Sequence, residues 1–101
     1  MRPNKVLALL GLAMRGRNLV AGEFQTENAV KDGSAMLVIV AEDASENTKK
    51  MFYDKCSFYG VRVLSYGTKE ELGMAIGKQQ RSSLAVTDAG LAQAIEKAMQ
   101  S

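Results

Sequence analysis

The chain contains no histidine, no tryptophan, a single cysteine and a single proline. Without histidine there is no Ser-His-Asp triad, no Cys-His dyad and almost no route to a transition-metal site. The lone Cys56 has no internal disulfide partner. Its neighbours Met51, Phe52, Phe58 and Tyr59 point to a buried thiol on a helix, with no base to activate it as a nucleophile. No stretch approaches the roughly 18 apolar residues that a membrane span needs. Residues 6–14 are apolar, but Gly11 interrupts them and Arg15 and Arg17 follow, which is the wrong order for a secretory signal. A cytoplasmic protein is expected. Negative charge is missing from the start of the chain, where Arg2, Lys5, Arg15 and Arg17 precede Gly22 with no acid among them. The acids gather instead at 42–46 and 70–71, an asymmetry that permits a basic face for an anionic partner.

What is present describes one globular domain of 101 residues, 47% hydrophobic and 24% charged, with a net charge of +2. The most telling run is Met36-Leu-Val-Ile-Val-Ala41, closed by Glu42 and Asp43. It is too continuous for a half-exposed strand and reads as one buried on both faces. Around it, helices and strands alternate. A first helix runs from about Pro3 to Arg15, with Val6, Leu9, Leu10, Ala13 and Met14 on one face and Gly16 as its left-handed stop. Asn18–Ala21 is a short strand. Gly22 opens a helix that ends at Asp32-Gly33. Asp43 to Glu46 has capping-box spacing, with Ser45 as a rival cap, for a helix striped by Phe52, Cys56 and Tyr59 and stopped at Gly60. Val61–Leu64 is a strand with Arg62 outward. Thr68 to Glu71 is a second capping box, for a helix ending at Gly77. Residues 83–87 form the last strand, and Asp88 caps a helix with Leu91, Ala94, Ile95, Ala98 and Met99 aligned. The pattern is α/β, a three-layer α/β/α sandwich over a four-stranded sheet, mostly parallel or mixed, with strict alternation favouring the parallel form. In such sheets ligands meet loops at the carboxyl ends of strands. That rule selects 22–25, 42–47, 65–69 and 87–90 and passes over 77–82, which enters a strand.

Most chemical motifs fail. Gly73 to Lys78 has three residues between its glycines where a phosphate loop needs four, and Gln79 stands where Ser or Thr should follow the lysine. There is no Gly-x-Gly-x-x-Gly. Glu42 and Asp43 are adjacent on a strand end and point apart, so they converge poorly on magnesium, and capping explains Asp43 as well. No catalytic residue, metal site or cofactor is expected. Two segments remain. Gly22-Glu-Phe-Gln-Thr-Glu-Asn28 is a strand-to-helix turn whose amides could take a phosphate or a base-edge acceptor. Phe24 is either a core contact or a stacking surface for a nucleobase, and Glu23 would repel phosphate. In Gly77-Lys-Gln-Gln-Arg-Ser-Ser83, Lys78 and Arg81 suit phosphate and Gln79 and Gln80 suit base edges. A plain polar connector fits that composition too.

Gly22-x-x-Gln25-Thr26, Ala41-Glu-Asp-Ala-Ser45 and Leu72-Gly73-x-Ala75-x-Gly77 recur in this order in the kink-turn-binding ribosomal-protein family of the L-seven-Ae type, which this chain resembles end to end. The strings Ala41 to Lys50, Lys55-Cys56 and Thr68 to Gly73 resemble its small bacterial branch. The resemblance implies an α/β/α sandwich that binds structured RNA without catalysis, as a single RNA-binding domain over 1–101. It places the RNA against the turn at 22–28 and the loop at 78–82. The turn here reads Gly22-Glu23-Phe24-Gln25 where the family commonly has Gly-Thr-Asn-Glu or Gly-Thr-Lys-Gln. The second loop, usually apolar, is Lys78-Gln-Gln-Arg81. The expected RNA contacts are Arg15, Arg17, Lys31, Lys78 and Arg81 on phosphates. Gly22, Gln25 and Asn28 come close to the backbone or base edges, Glu23 and Phe24 lie in the turn with Phe24 stacking, and Gln79, Gln80 and Ser82 lie in the second loop. The implied partners are structured RNA, with ribosomal RNA and ribosomal or translation-factor proteins as candidates, bound by a monomer. Two readings compete: a protein-interaction module on the same fold that has lost kink-turn specificity, and, further off, a magnesium or small-anion enzyme.

Overall fold

The computed structural model describes residues 4–100. Its order is α1 (Lys5–Arg15), β1 (Leu19–Ala21), α2 (Glu23–Asp32), β2 (Leu37–Val40), α3 (Glu46–Tyr59), β3 (Val63–Ser65), α4 (Lys69–Ala75), β4 (Ser83–Val86) and α5 (Ala89–Met99). Pro3, expected in the first helical turn, lies outside the described residues. Asn4 caps α1 instead, its side chain accepting from the Leu7 amide at 3.0 Å. The left-handed residue after α1 is Arg17 (φ 61°) and not Gly16 (φ −88°). The Asn18 amide reaches back to the Ala13 carbonyl at 2.7 Å, and Arg17 N to the Met14 carbonyl at 3.1 Å, closing a Schellman-type stop one residue later than the glycine suggested. Ser45, not Asp43, caps α3, accepting from Thr48 N at 3.1 Å. The box at Thr68 and Glu71 is complete on α4, and Asp88 caps α5. Tyr59 leaves the buried stripe of α3: it is 45% exposed and packs edge-on against Phe58, ring centres 5.0 Å apart.

The sheet order is β1-β4-β2-β3. β4 runs antiparallel to both β1 and β2, and only β2 and β3 are parallel. The sheet is therefore mixed, against the parallel form that alternation favours. The return of the chain is visible at α4. A seven-residue helix advances the chain only about 10 Å, and Arg81 N then bonds the Lys69 carbonyl at 3.1 Å, back at the start of that helix. The chain has folded back on itself, so β4 enters from the rim where β3 left.

β2 and β4 are buried at all four positions and take the two central places; the three-residue strands, partly exposed, take the edges. Helices α1, α4 and α5 pack together, as do α2 and α3, which completes the three layers. Phe52, Leu10, Leu37, Ile39, Leu72 and Ile95 are fully buried between them. Cys56 lies in the same core, where burial pushes its thiol up to about 11. No helix among the described residues is long and apolar enough to cross a membrane.

Candidate nucleic-acid interface

The antiparallel course of β4 joins two loops that are far apart in sequence. Ala21 of β1 lies opposite Leu84, and the Gly22 amide donates to the Ser83 carbonyl at 3.0 Å. On the other side the Ala41 amide donates to the Ser82 carbonyl at 2.9 Å. The exit of β1, the exit of β2 and the entry to β4 thus share one rim. A groove of about 410 Å3 runs along it, between Ala21–Gln25 and Gln80–Ser82. A second hollow of about 360 Å3 continues from Phe24 and Gln25 past Asn28 to Asp32 and Ser34.

Gly22 shapes one wall. It sits at φ 102°, ψ 153°, a region essentially closed to residues with a Cβ, although a Cβ would meet nothing within 4 Å. No side chain caps α2, and its first regular bond is Thr26 N to Gly22 O at 2.9 Å. The amides of Glu23, Phe24 and Gln25 precede that bond and remain donors at the positive end of the helix. Phe24 is 74% exposed, so it is no core contact. Beneath this turn, the Thr26 and Ser83 hydroxyls are fully buried and have no hydrogen-bond partner.

The other wall is anchored on α4. The Lys78 amide donates to the Gly73 carbonyl at 2.9 Å. A Cβ on Gly73 would lie 2.2 Å from the Gln79 carbonyl oxygen, so the loop rests directly on the helix backbone. Arg81 turns its guanidinium inward, Nη1 donating to the Gln79 and Gln80 carbonyls at 3.1 and 2.9 Å. It braces the loop as well as charging it. Asp43, once a candidate for magnesium or for capping α3, accepts from the Lys69 amide at 2.8 Å and steadies the start of α4. Among the described residues no group of three or more metal-ligating side chains gathers.

Of the expected contacts, Gly22, Glu23, Phe24, Gln25, Gln80, Arg81 and Ser82 line the main groove; Asn28 lines its continuation, and Lys78 and Gln79 line a separate hollow against Glu70 and Met74. Arg15 and Arg17 are not brought there: Arg15 ends α1 and Arg17 follows it, both ahead of β1, with that strand between them and Gly22. Lys31 is held by Glu27 at 3.2 Å, on the side of α2 that meets α3, and the same carboxylate takes Lys55 at 3.1 Å. The hydrogen bonds from Lys55 and then Lys31 hold the Glu27 carboxyl below its usual range. Sequence reasoning missed Lys55 as a partner of this cluster and Gly73 as the seat of the loop. The signal for Gly73 was available: a glycine between good helix formers costs stability and wants a packing reason.

The family model described as Ribosomal protein L7Ae/L30e/S12e/Gadd45 matches residues 4–96. A relative from Bacillus subtilis, described as RNA-binding protein YlxQ, is 44% identical over 84 residues, covering 83% of this chain and 84% of its own. A protein of the same description from Enterococcus faecium is 41% identical over 88 residues, covering 87% of this chain and 84% of its own. The solved structure of a protein of unknown function from Bacillus halodurans matches at a TM-score of 0.94 and 41% identity, over 98% of this chain and 100% of that one. The Giardia lamblia 15.5kD RNA binding protein shares the fold at a TM-score of 0.78 and 22% identity, over 93% of this chain and 84% of that one. With the family model matching from the cap of α1 into α5, the chain belongs to the ribosomal protein L7Ae/L30e/S12e/Gadd45 family.

Proposed function

We propose that this protein binds structured RNA without catalysis, gripping a sharply bent duplex of the kink-turn kind or a related bend along the rim between Gly22 and Ser82. The observation that carries the reading is the single groove built from the Gly22 turn and the 80–82 loop. It offers free helix amides and an exposed aromatic ring on one side, and amide and guanidinium groups on the other. A duplex end or internal loop opened by a bend presents phosphates, base edges and a base face together, which this set matches. The relatives described as RNA-binding support it. As one domain, acting as a cytoplasmic monomer, it would meet such RNA in ribosomal or other translation-associated particles.

The test is binding to a kink-turn RNA and to a straight duplex of equal length across a salt series. Tighter binding to the bent RNA is expected, with log K falling linearly in log salt as phosphate counterions are released. Equal, weak binding to both would defeat the bent-RNA reading. Binding to neither would favour the protein-interaction alternative, in which the exposed Glu23 and Phe24 face a protein.

A further inference from the structure

Helix α1 keeps Lys5, Ala8, Leu12 and Arg15 in solvent. Their spacing of three, four and three residues sets them in one stripe, apolar in the middle and basic at both ends. Leu12 is 49% exposed. Beside the stripe α4 passes close. A Cβ on Gly11 would lie 2.8 Å from the Ala75 carbonyl oxygen, so the two helices meet backbone to backbone. The Arg15 guanidinium lies back over Gly11, with Nη1 3.6 Å from that same point. Next to this crossing a hollow of about 260 Å3 opens between the helices, lined by Leu7, Glu71, Met74 and Ala75. Met74 is 72% exposed. Glu71, the one acid in the lining, already accepts from the Thr68 amide at 3.0 Å in the capping box. None of these residues lines the groove at the Gly22 turn or its continuation.

One exposed leucine is ordinary. Here two large apolar side chains, a hollow and a cation at each end of the stripe come together. Among the described residues neither Lys5 nor Arg15 has an ion-pair partner. Ten helical residues separate them, a span of about 15 Å. These charges decide the occupant. A second copy does not suit, since α1 packed on α1 in either direction sets cation against cation, with no acid in the stripe. Nucleic acid has phosphates for the two ends, but the middle holds no aromatic ring on which a base would stack. We infer that this face docks an amphipathic helix of a protein partner. Its two leucine-like side chains lie over Ala8, Leu12 and the hollow, and a carboxylate near each end meets Lys5 and Arg15. The inference stands apart from the RNA-binding reading. If both hold, the chain joins an RNA on its rim to a protein on its α1–α4 face.

The experiment titrates the full, nitrogen-15-labelled chain with a synthetic helical peptide built on Glu-x-x-Leu-x-x-x-Leu-x-x-Glu, with Ala and Gln at x. A control peptide has Lys in place of both Glu. Amide shifts are expected at 5–15 and 71–75 and not at 22–28. The acidic peptide should bind about tenfold more tightly than the control, because two surface pairs change from attraction to repulsion. Leu12→Ala should weaken it about tenfold, the scale of one anchoring side chain. The double variant Lys5→Glu with Arg15→Glu should reverse the preference between the peptides. All three side chains are exposed, so these changes do not threaten the fold. No shifts at 5–15 with the acidic peptide at about 1 mM would overturn the inference, that being the weak end of specific binding. Equal binding of both peptides, or an affinity indifferent to Leu12→Ala, would do the same. A dimer in sedimentation that Leu12→Ala dissolves would give the face to a second copy. Displacement of the peptide by a kink-turn RNA would give it to RNA. Either result overturns the inference, and neither depends on the outcome of the bent-against-straight comparison.

Discussion

The two walls of the rim groove are built on opposite principles, and two glycines show the difference. Gly22 is required by conformation: its φ of 102° excludes other residues although space around it is empty. Gly73 is required by space: it sits in an ordinary helix, but any side chain there would strike the backbone of Gln79 and Gln80. One wall is fixed by local backbone geometry and the other by a tertiary contact. The first should tolerate change by shifting a few dihedral angles. The second cannot give without moving the whole loop.

The largest effect expected from breaking this comparison is at Gly73. Gly73→Ala should destabilise by about 3 kcal/mol, the upper end of overpacking costs, because the obstructing atoms are main chain. A guanidinium chloride midpoint will measure it, and amide shifts at 78–81 should report a displaced loop. A loss below about 0.5 kcal/mol would show that the loop is free to lift. Gly22→Ala comes next, at about 1–2 kcal/mol of backbone strain, with amide shifts confined to 21–26. If shifts spread to 78–81 instead, the walls are not independent.

Arg81→Ala sharpens the comparison within one wall. It removes the brace on the Gln79 and Gln80 carbonyls and should cost about 1 kcal/mol. Arg81→Lys keeps the charge but not the fork, and should weaken RNA binding with the salt slope retained. A wild-type affinity for Arg81→Lys would reduce that residue to a point charge. Glu27→Gln, outside both walls, should cost under about 1 kcal/mol, because this cluster is partly exposed and screened. The folded-state carboxyl titrates below its unfolded value, so its contribution is present above the unfolded range. It disappears as pH falls through the lowered folded value. Thermal melts of wild type and Glu27→Gln should therefore differ at neutral pH and converge in acid.

Phe24→Ala should leave stability within about 0.5 kcal/mol, since the ring is exposed. It should nevertheless weaken binding to the bent RNA by about 1–3 kcal/mol, the value of one stacked base. An unchanged affinity would take the ring out of the interface.

Local signals were read well from the residues. The buried run at 37–40, the box at Thr68 and Glu71, the cap at Asp88 and the stops at Gly33 and Gly60 each depend on neighbours within one turn of chain. The errors were also local, though decided from afar. Asp43 had the spacing to cap α3, but the Lys69 amide of another helix claimed it and left Ser45 to serve. Arg17 took the left-handed turn that Gly16 could have made more cheaply. The turn at 22–28 was selected by the strand-end rule, which passed over the loop at 78–82 because it assumes parallel strands; that loop stood out by its polar composition and by the resemblance.

Residue order was enough to show which segments are helices and strands and that the run at 36–41 is apolar enough for the centre of the sheet. It also showed that the chain has no histidine, which removes Ser-His-Asp triads and Cys-His dyads. Those outcomes follow from periodicity, capping and composition, which act over a few residues. The tertiary structure alone decided that β4 runs backward between β1 and β2. That single choice puts the Gly22 turn beside the 78–82 loop, gives Gly73 its reason and leaves Arg15, Arg17 and Lys31 outside the groove. The direction and place of β4 rest on pairing with β1 and β2, segments distant in sequence, which no local pattern of residues expresses.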